Sequence, residues 1–212
     1  MKKNVSRIYL VCTVLFVTCL LLSNIAAVKL IAVGPLTLPA GVLMFPITYI
    51  LNDMLSEVYG YKMTKFTIFL GFAMNLFMSL YFTLTIYLPA PVFFKNQEAY
   101  ASILGNTPRI LFASLCAYLV GTTLNAKIMV KMKGISGENK GLFMRCVSST
   151  LVGESFDSLI FVTLGFFGNM PLRDMFIMVV TQATVKTVYE IIIFPITSQV
   201  IKKIKSVENV AV

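Results

Sequence analysis

Three short stretches carry charges at helical spacing inside apolar sequence. Asp53 and Glu57 are four apart in YILNDMLSEVYG, Glu154 and Asp157 three apart in GESFDSLIF, and Lys186 and Glu190 four apart in QATVKTVYEIIIFP. Either spacing puts both members of a pair on one helix face. Gln182 extends the Lys186 stripe back by one turn. Paired carboxylates can hold a metal, act as acid and base, accept two N–H donors of a ligand, or neutralise a lysine. At the centre of a membrane helix each carboxylate costs ~2.5–3.5 kcal/mol, and five together cost on the order of 10 kcal/mol. Structural ion pairing explains any one of them. One lysine cannot neutralise five acids, so the set as a whole points to protonated acids, a cation or a polar ligand. Asn24, in LLSNIAAVK, and Arg109, in GNTPRILFAS, are secondary candidates, reading equally as helix-packing and snorkelling residues.

The elements that must position these residues follow from hydropathy. The chain has 212 residues, of which 58% are hydrophobic and only 13% charged. A soluble domain would carry about 25% charged residues. A span needs about 20 apolar residues, and six spans are expected, near 8–28, 36–58, 66–88, 110–130, 146–167 and 175–201, in a single transmembrane domain over 1–212. The expected fold is therefore an all-α polytopic membrane protein of six helices. VGPLTLPAG, YGYK, KGISGENKG and GNMPLRD read as turns, and the polar connection from Pro89 to Pro108 has room for a short helix on the membrane surface. Pro46 and Pro195 should kink spans two and six, freeing the carbonyls of Val42 and Ile191.

The net charge of +9 does not imply nucleic acid, because the basic residues lie between apolar runs rather than on one polar face. Their distribution is skewed: with six spans, only Lys95, Arg109 and Arg173 fall on one side, and most of the rest fall on the other. The positive-inside rule then expects both termini in the cytoplasm. The basic, apolar start fits a first span better than a cleaved signal. The four cysteines form no CxxC pair and histidine is absent, so neither a zinc site nor any other metal or cofactor is expected.

SNIAAVK, PAGVLMFPITYILNDMLSEVYG, PRILFAS, GESFDSLIF and QATVKTVYEIIIFPIT resemble the queuosine-precursor transporter family, also called the vitamin uptake transporter family. The resemblance covers roughly Ser23 to Lys205. It implies a six-helix protein of the bacterial inner membrane, similar to the substrate-binding subunits of energy-coupling-factor transporters. It also implies import of a 7-deazaguanine (preQ0, preQ1 or queuine) for tRNA modification. Such a base has two adjacent N–H donors, which one carboxylate can accept together. PreQ1 and queuine add a cationic amine. Asp53, Glu57, Glu154, Asp157 and Glu190 are the first candidates for these contacts, with Lys186, Asn24, Gln182 and Arg109 behind them. Tyr49, Tyr59, Phe156 or Tyr189 could stack on the ring.

Three functions are weighed. The first is a transporter whose partners are a small heterocyclic base and the lipid bilayer, with room for a homo-oligomer. Its energy source, protons or intracellular use of the base, stays open, since no GxxxxGK[ST] motif is present. The second is a substrate-binding subunit that needs a separate energising complex. The third, an intramembrane enzyme using paired acids, is disfavoured: GxSxG, HExxH and histidine are all missing. No catalytic residue is assigned.

Overall fold

The computed structural model describes residues 6–34, 36–136 and 142–207. Helix α1 (Arg7–Ala26) starts where the Ser6 hydroxyl accepts from the amides of Ile8 and Tyr9. A two-stranded antiparallel hairpin follows, β1 (Leu30–Val33) and β2 (Leu36–Pro39), with Leu30 opposite Pro39 and Val33 opposite Leu36. A 3-10 turn (Ala40–Leu43) leads into α2 (Phe45–Tyr87), then α3 (Gln97–Leu104), α4 (Thr107–Ser136), α5 (Leu142–Phe166) and α6 (Leu172–Val207).

Helix α2 is two arms joined at Gly60, whose φ of 80° and ψ of 168° leave the helical region. Only glycine adopts this conformation readily. The elbow is braced by α1. Tyr9 hydrogen-bonds Thr67 at 2.9 Å and meets the Tyr59 ring edge-on at 5.1 Å, so one residue holds both arms. Thr13 joins Thr67 at 3.2 Å. Farther along, Asn24 donates to Asn75 at 2.7 Å, and Asn75 donates to the Gly71 carbonyl at 2.9 Å.

These contacts follow the pattern of a protein in lipid, where helices gain little from burying apolar groups and associate through packing and polar contacts. Thr13, Ser23, Asn24, Thr67 and Asn75 are buried, whereas Leu10, Val11, Val14 and Leu15 of α1 face outward.

The span count is corrected from six to four. Among the described residues the helices long and apolar enough to cross a membrane are Arg7–Ala26, Lys62–Tyr87, Gln97–Asn125 and Leu172–Ile193. They overlap expected spans one, three, four and six. Expected span two, 36–58, begins as a strand and a 3-10 turn. What remains of it, 45–58, reaches about 21 Å at ~1.5 Å per residue, short of a ~30 Å hydrocarbon core. Expected span five corresponds to α5, which is 25 residues long but carries Glu154, Asp157 and several serines and threonines in place of an apolar run. The six-helix fold similar to energy-coupling-factor subunits, which the family resemblance implied, is corrected with that count. The termini, expected in the cytoplasm, fall outside the described residues.

Pro46 occupies the first turn of α2 instead of kinking a span, a position where proline is tolerated. Pro195 does lie inside α6. The connection between α2 and α4 holds the short helix α3, tied back by Gln97 donating to the Ile86 carbonyl at 2.9 Å.

A Cβ at residue 60 would meet no atom within 4 Å, so Gly60→Ala tests backbone strain alone. The variant should lose about 1–3 kcal/mol, read as a lower thermal midpoint in detergent; an unchanged midpoint would contradict the elbow.

Candidate functional site

The site begins with an unusually close approach of α4 and α5. A Cβ on Gly121 would lie 2.9 Å from the Asp157 Cβ and 3.1 Å from the Gly153 carbonyl oxygen. A Cβ on Gly153 would lie 3.0 Å from both the Asn125 Cβ and the Gly121 carbonyl oxygen. The two glycines thus let the backbones touch, as small residues do between membrane helices. Ala113, Ala117 and Gly121 recur every fourth residue on α4, and Ser149, Gly153 and Asp157 do so on α5. This spacing was the available signal for the contact, and the charged motifs drew attention away from it.

Helix α5 then presents Glu154 and Asp157 to α6. The Lys186 ammonium hydrogen-bonds the Asp157 carboxylate and lies 3.3 Å from Glu154 Oε2. The lysine side chain is 1% exposed, against 13% for Glu154 and 17% for Asp157. An ammonium this deeply buried requires such partners. Among the described residues one cation here faces two carboxylates.

All three residues border a cavity of about 140 Å³. A single water needs ~10–15 Å³ on this measure, so the space suits a small organic molecule. Phe16, Phe72, Tyr118 and Phe161 supply aromatic wall, and Thr48, Asn52, Thr122 and Asn125 supply polar groups. The Phe72 and Tyr118 rings are 5.6 Å apart and tilted by 57°. Phe16 belongs to an apolar cluster with Leu51, Met54 and Leu55. Phe161 belongs to another with Ile110, Val162 and Met178. The cavity therefore lies between two packed regions.

The structure brings together Glu154, Asp157 and Lys186, as their spacing suggested. It sets three other candidates apart from the cavity wall. Asn24 is engaged with Asn75. Arg109 donates to the carbonyls of Leu164, at 2.8 Å, and Phe167, closing the last turn of α5; basic side chains commonly satisfy helix C-termini this way. Gln182 is fully buried, with neither amide atom partnered among the described residues. The side chains of Asp53, Glu57 and Glu190 lie outside the described residues.

The aromatic candidates also differ from the expected ones. Tyr59 braces the elbow, Phe156 and Tyr189 are exposed, and the Tyr49 side chain is outside the described residues. The cavity uses Phe16, Phe72, Tyr118 and Phe161, whose apolar surroundings in the sequence gave no reason to single them out. Asn52 was missed because it sits between more conspicuous residues, Tyr49 and Asp53. It shares a face with Thr48, one turn earlier.

The family described as "Putative vitamin uptake transporter" matches residues 39–200, more than half of the chain. The chain belongs to this family. A curated relative, a "Probable queuosine precursor transporter" of Bacillus subtilis (strain 168), is 28% identical over 155 residues. That match covers 70% of this chain and 65% of the relative, so the chain spans just under two-thirds of the relative's length. No solved structure matches. Family membership and the four helices long and apolar enough to cross a membrane among the described residues make the chain an integral-membrane protein. The expected multi-pass location in the bacterial inner membrane agrees with the family and with the four long apolar helices.

Lys186→Met would leave Glu154 and Asp157 facing each other without their shared cation. Breaking a buried pair in this way costs about 3–5 kcal/mol. The variant should therefore have a much lower thermal midpoint in detergent, partly restored when Asp157→Asn is added. A midpoint equal to wild type would show that the pair does not hold α5 to α6.

Proposed function

We propose that this member of the family imports a 7-deazaguanine precursor of queuosine (preQ0, preQ1 or queuine) across the bacterial inner membrane, binding it in the cavity between α1, α2, α4, α5 and α6. The observation that carries this reading is the cavity's composition: a carboxylate pair and one lysine beside four aromatic rings, inside a bundle of membrane helices. Such a lining suits a flat, hydrogen-bond-rich base. The description of the Bacillus subtilis relative as a probable queuosine precursor transporter supports the same substrate class.

The aromatic rings offer faces against which a bicyclic base can pack. Glu154 accepts from the exocyclic 2-amino group of the guanine-like edge, a strong charge-assisted arrangement. The carboxylate that Lys186 does not neutralise favours a ligand bearing a positive charge, such as the primary amine of preQ1 or queuine. Asp53, next in sequence to Asn52, and Glu190, one turn beyond Lys186, are proposed as further partners for that amine. Binding of the base competes with Lys186 for its carboxylates, which loosens α5 from α6. A change at a helix–helix contact beside the site is what alternating access requires.

The test uses a bacterial strain that neither makes queuosine nor imports its precursors, equipped with the enzymes that convert or insert each base. Fed preQ0, preQ1 or queuine separately, it should form queuosine-modified tRNA only when this chain is expressed. Glu154→Gln, at equal membrane abundance, should cut the initial uptake rate at least about ten-fold, the scale of one lost charge-assisted pair. Absence of modification with every base, from a chain shown to reach the membrane, would overturn the reading.

A further inference from the structure

Most polar groups on the cavity wall are already engaged. Lys186 is held by Asp157 and Glu154, and the Thr122 hydroxyl donates to the Tyr118 carbonyl at 2.7 Å. Asn52 differs. The residue borders the cavity, and its Oδ1 is shut off from solvent with no hydrogen-bond partner among the described residues. A buried amide oxygen without a donor costs as much as a hydrogen bond lost, so native proteins rarely leave one unless a ligand or water completes it. The backbone around Asn52 is firmly set: Leu51, Met54 and Leu55 pack into an apolar cluster with Tyr9 and Cys12 of α1. The amide is therefore held at the wall by its neighbours' packing.

A carboxamide is an acceptor beside a donor in one plane. Its complement is a carbonyl beside a ring N–H, the edge of a cyclic amide. Resting on the function proposed above, we infer that Asn52 is the specificity-determining residue for the 6-oxo edge of the base. Oδ1 accepts from the ring N1–H, and Nδ2 donates to the 6-oxygen. The two polar walls divide the work. Helix α2 reads the cyclic amide through Asn52, and the carboxylates of α5 take the remaining N–H donors and any cationic tail. Asn or Gln pairing two-fold with a base edge is an established form of discrimination, worth about five-fold to a hundred-fold per pair.

The test is a cycle of two ligands and two proteins. The ligands are radiolabelled preQ1 and its 6-deoxo analogue, which lacks both the 6-oxygen and the N1 hydrogen. The proteins are the full-length wild type and Asn52→Leu, purified in detergent, with Asn52→Ser as a second variant should the first elute as aggregate. Wild type should bind preQ1 at least about ten-fold more tightly than the analogue. In the variant this preference should collapse to within about two-fold, chiefly through loss of preQ1 affinity. A preference retained in a folded variant would overturn the role of Asn52 while leaving the transport function standing. Binding of neither ligand by wild type would instead overturn both the proposed function and this inference.

Discussion

Lys186 brings a positive charge into a part of the bundle closed to water, and the arrangement of α4, α5 and α6 is what makes that tolerable. Its ammonium is held by Asp157 and Glu154, and those carboxylates reach it because Gly121 and Gly153 let α4 and α5 touch. A side chain at either glycine would push the acids away from the lysine. The charge, the two acids and the two glycines therefore form one unit. Removing any member leaves another exposed to a cost it was not built to bear alone.

Around this unit the protein divides its interior by polarity. Leu10, Val11, Val14 and Leu15 of α1 face outward, and hydroxyls and amides turn inward to join helices. Tyr9 and Thr67 hold the elbow of α2, and Asn24 with Asn75 fixes its second arm against α1. The elbow matters for the site because it lets the first arm lie short of a full crossing. That arm carries Thr48 and Asn52 to the cavity wall while the second arm spans the bilayer. The two expected spans that lack the apolar character of the others, the short first arm of α2 and the polar face of α5, thus both contribute to the cavity wall, beside residues of α1, α4 and α6.

That outcome explains where sequence reasoning succeeded and where it failed. The spacing of Glu154, Asp157 and Lys186 was legible because charge inside an apolar run demands a partner, and helical periodicity allows few. The break at Gly60 was legible from YGYK. The span count was not. Sliding along apolar runs treated 36–58 and 146–167 like the rest, although the hairpin register and the acids of α5 mark them as different in kind. Asn24 and Arg109 carry the same polarity as ligand-binding groups, and only three-dimensional partners reveal that one joins two helices and the other closes a helix end. The aromatic rings of the cavity were invisible because phenylalanine in a membrane helix is ordinary. Asn52 was overlooked beside two more conspicuous acids.

The central claim is that the cavity beside Lys186 receives the base, and site-directed alkylation tests it most directly. Thr122 borders the cavity, whereas Thr123, next to it on α4, is exposed but does not. With single cysteines introduced at each position, Thr122→Cys and Thr123→Cys, in a background free of native cysteine, the rate of reaction with a membrane-permeant maleimide would be measured with and without preQ1. The account predicts that the base slows alkylation at position 122 several-fold and leaves position 123 unchanged. Equal rates at position 122 with and without a saturating concentration of bound preQ1 would contradict it and move the binding site elsewhere in the bundle.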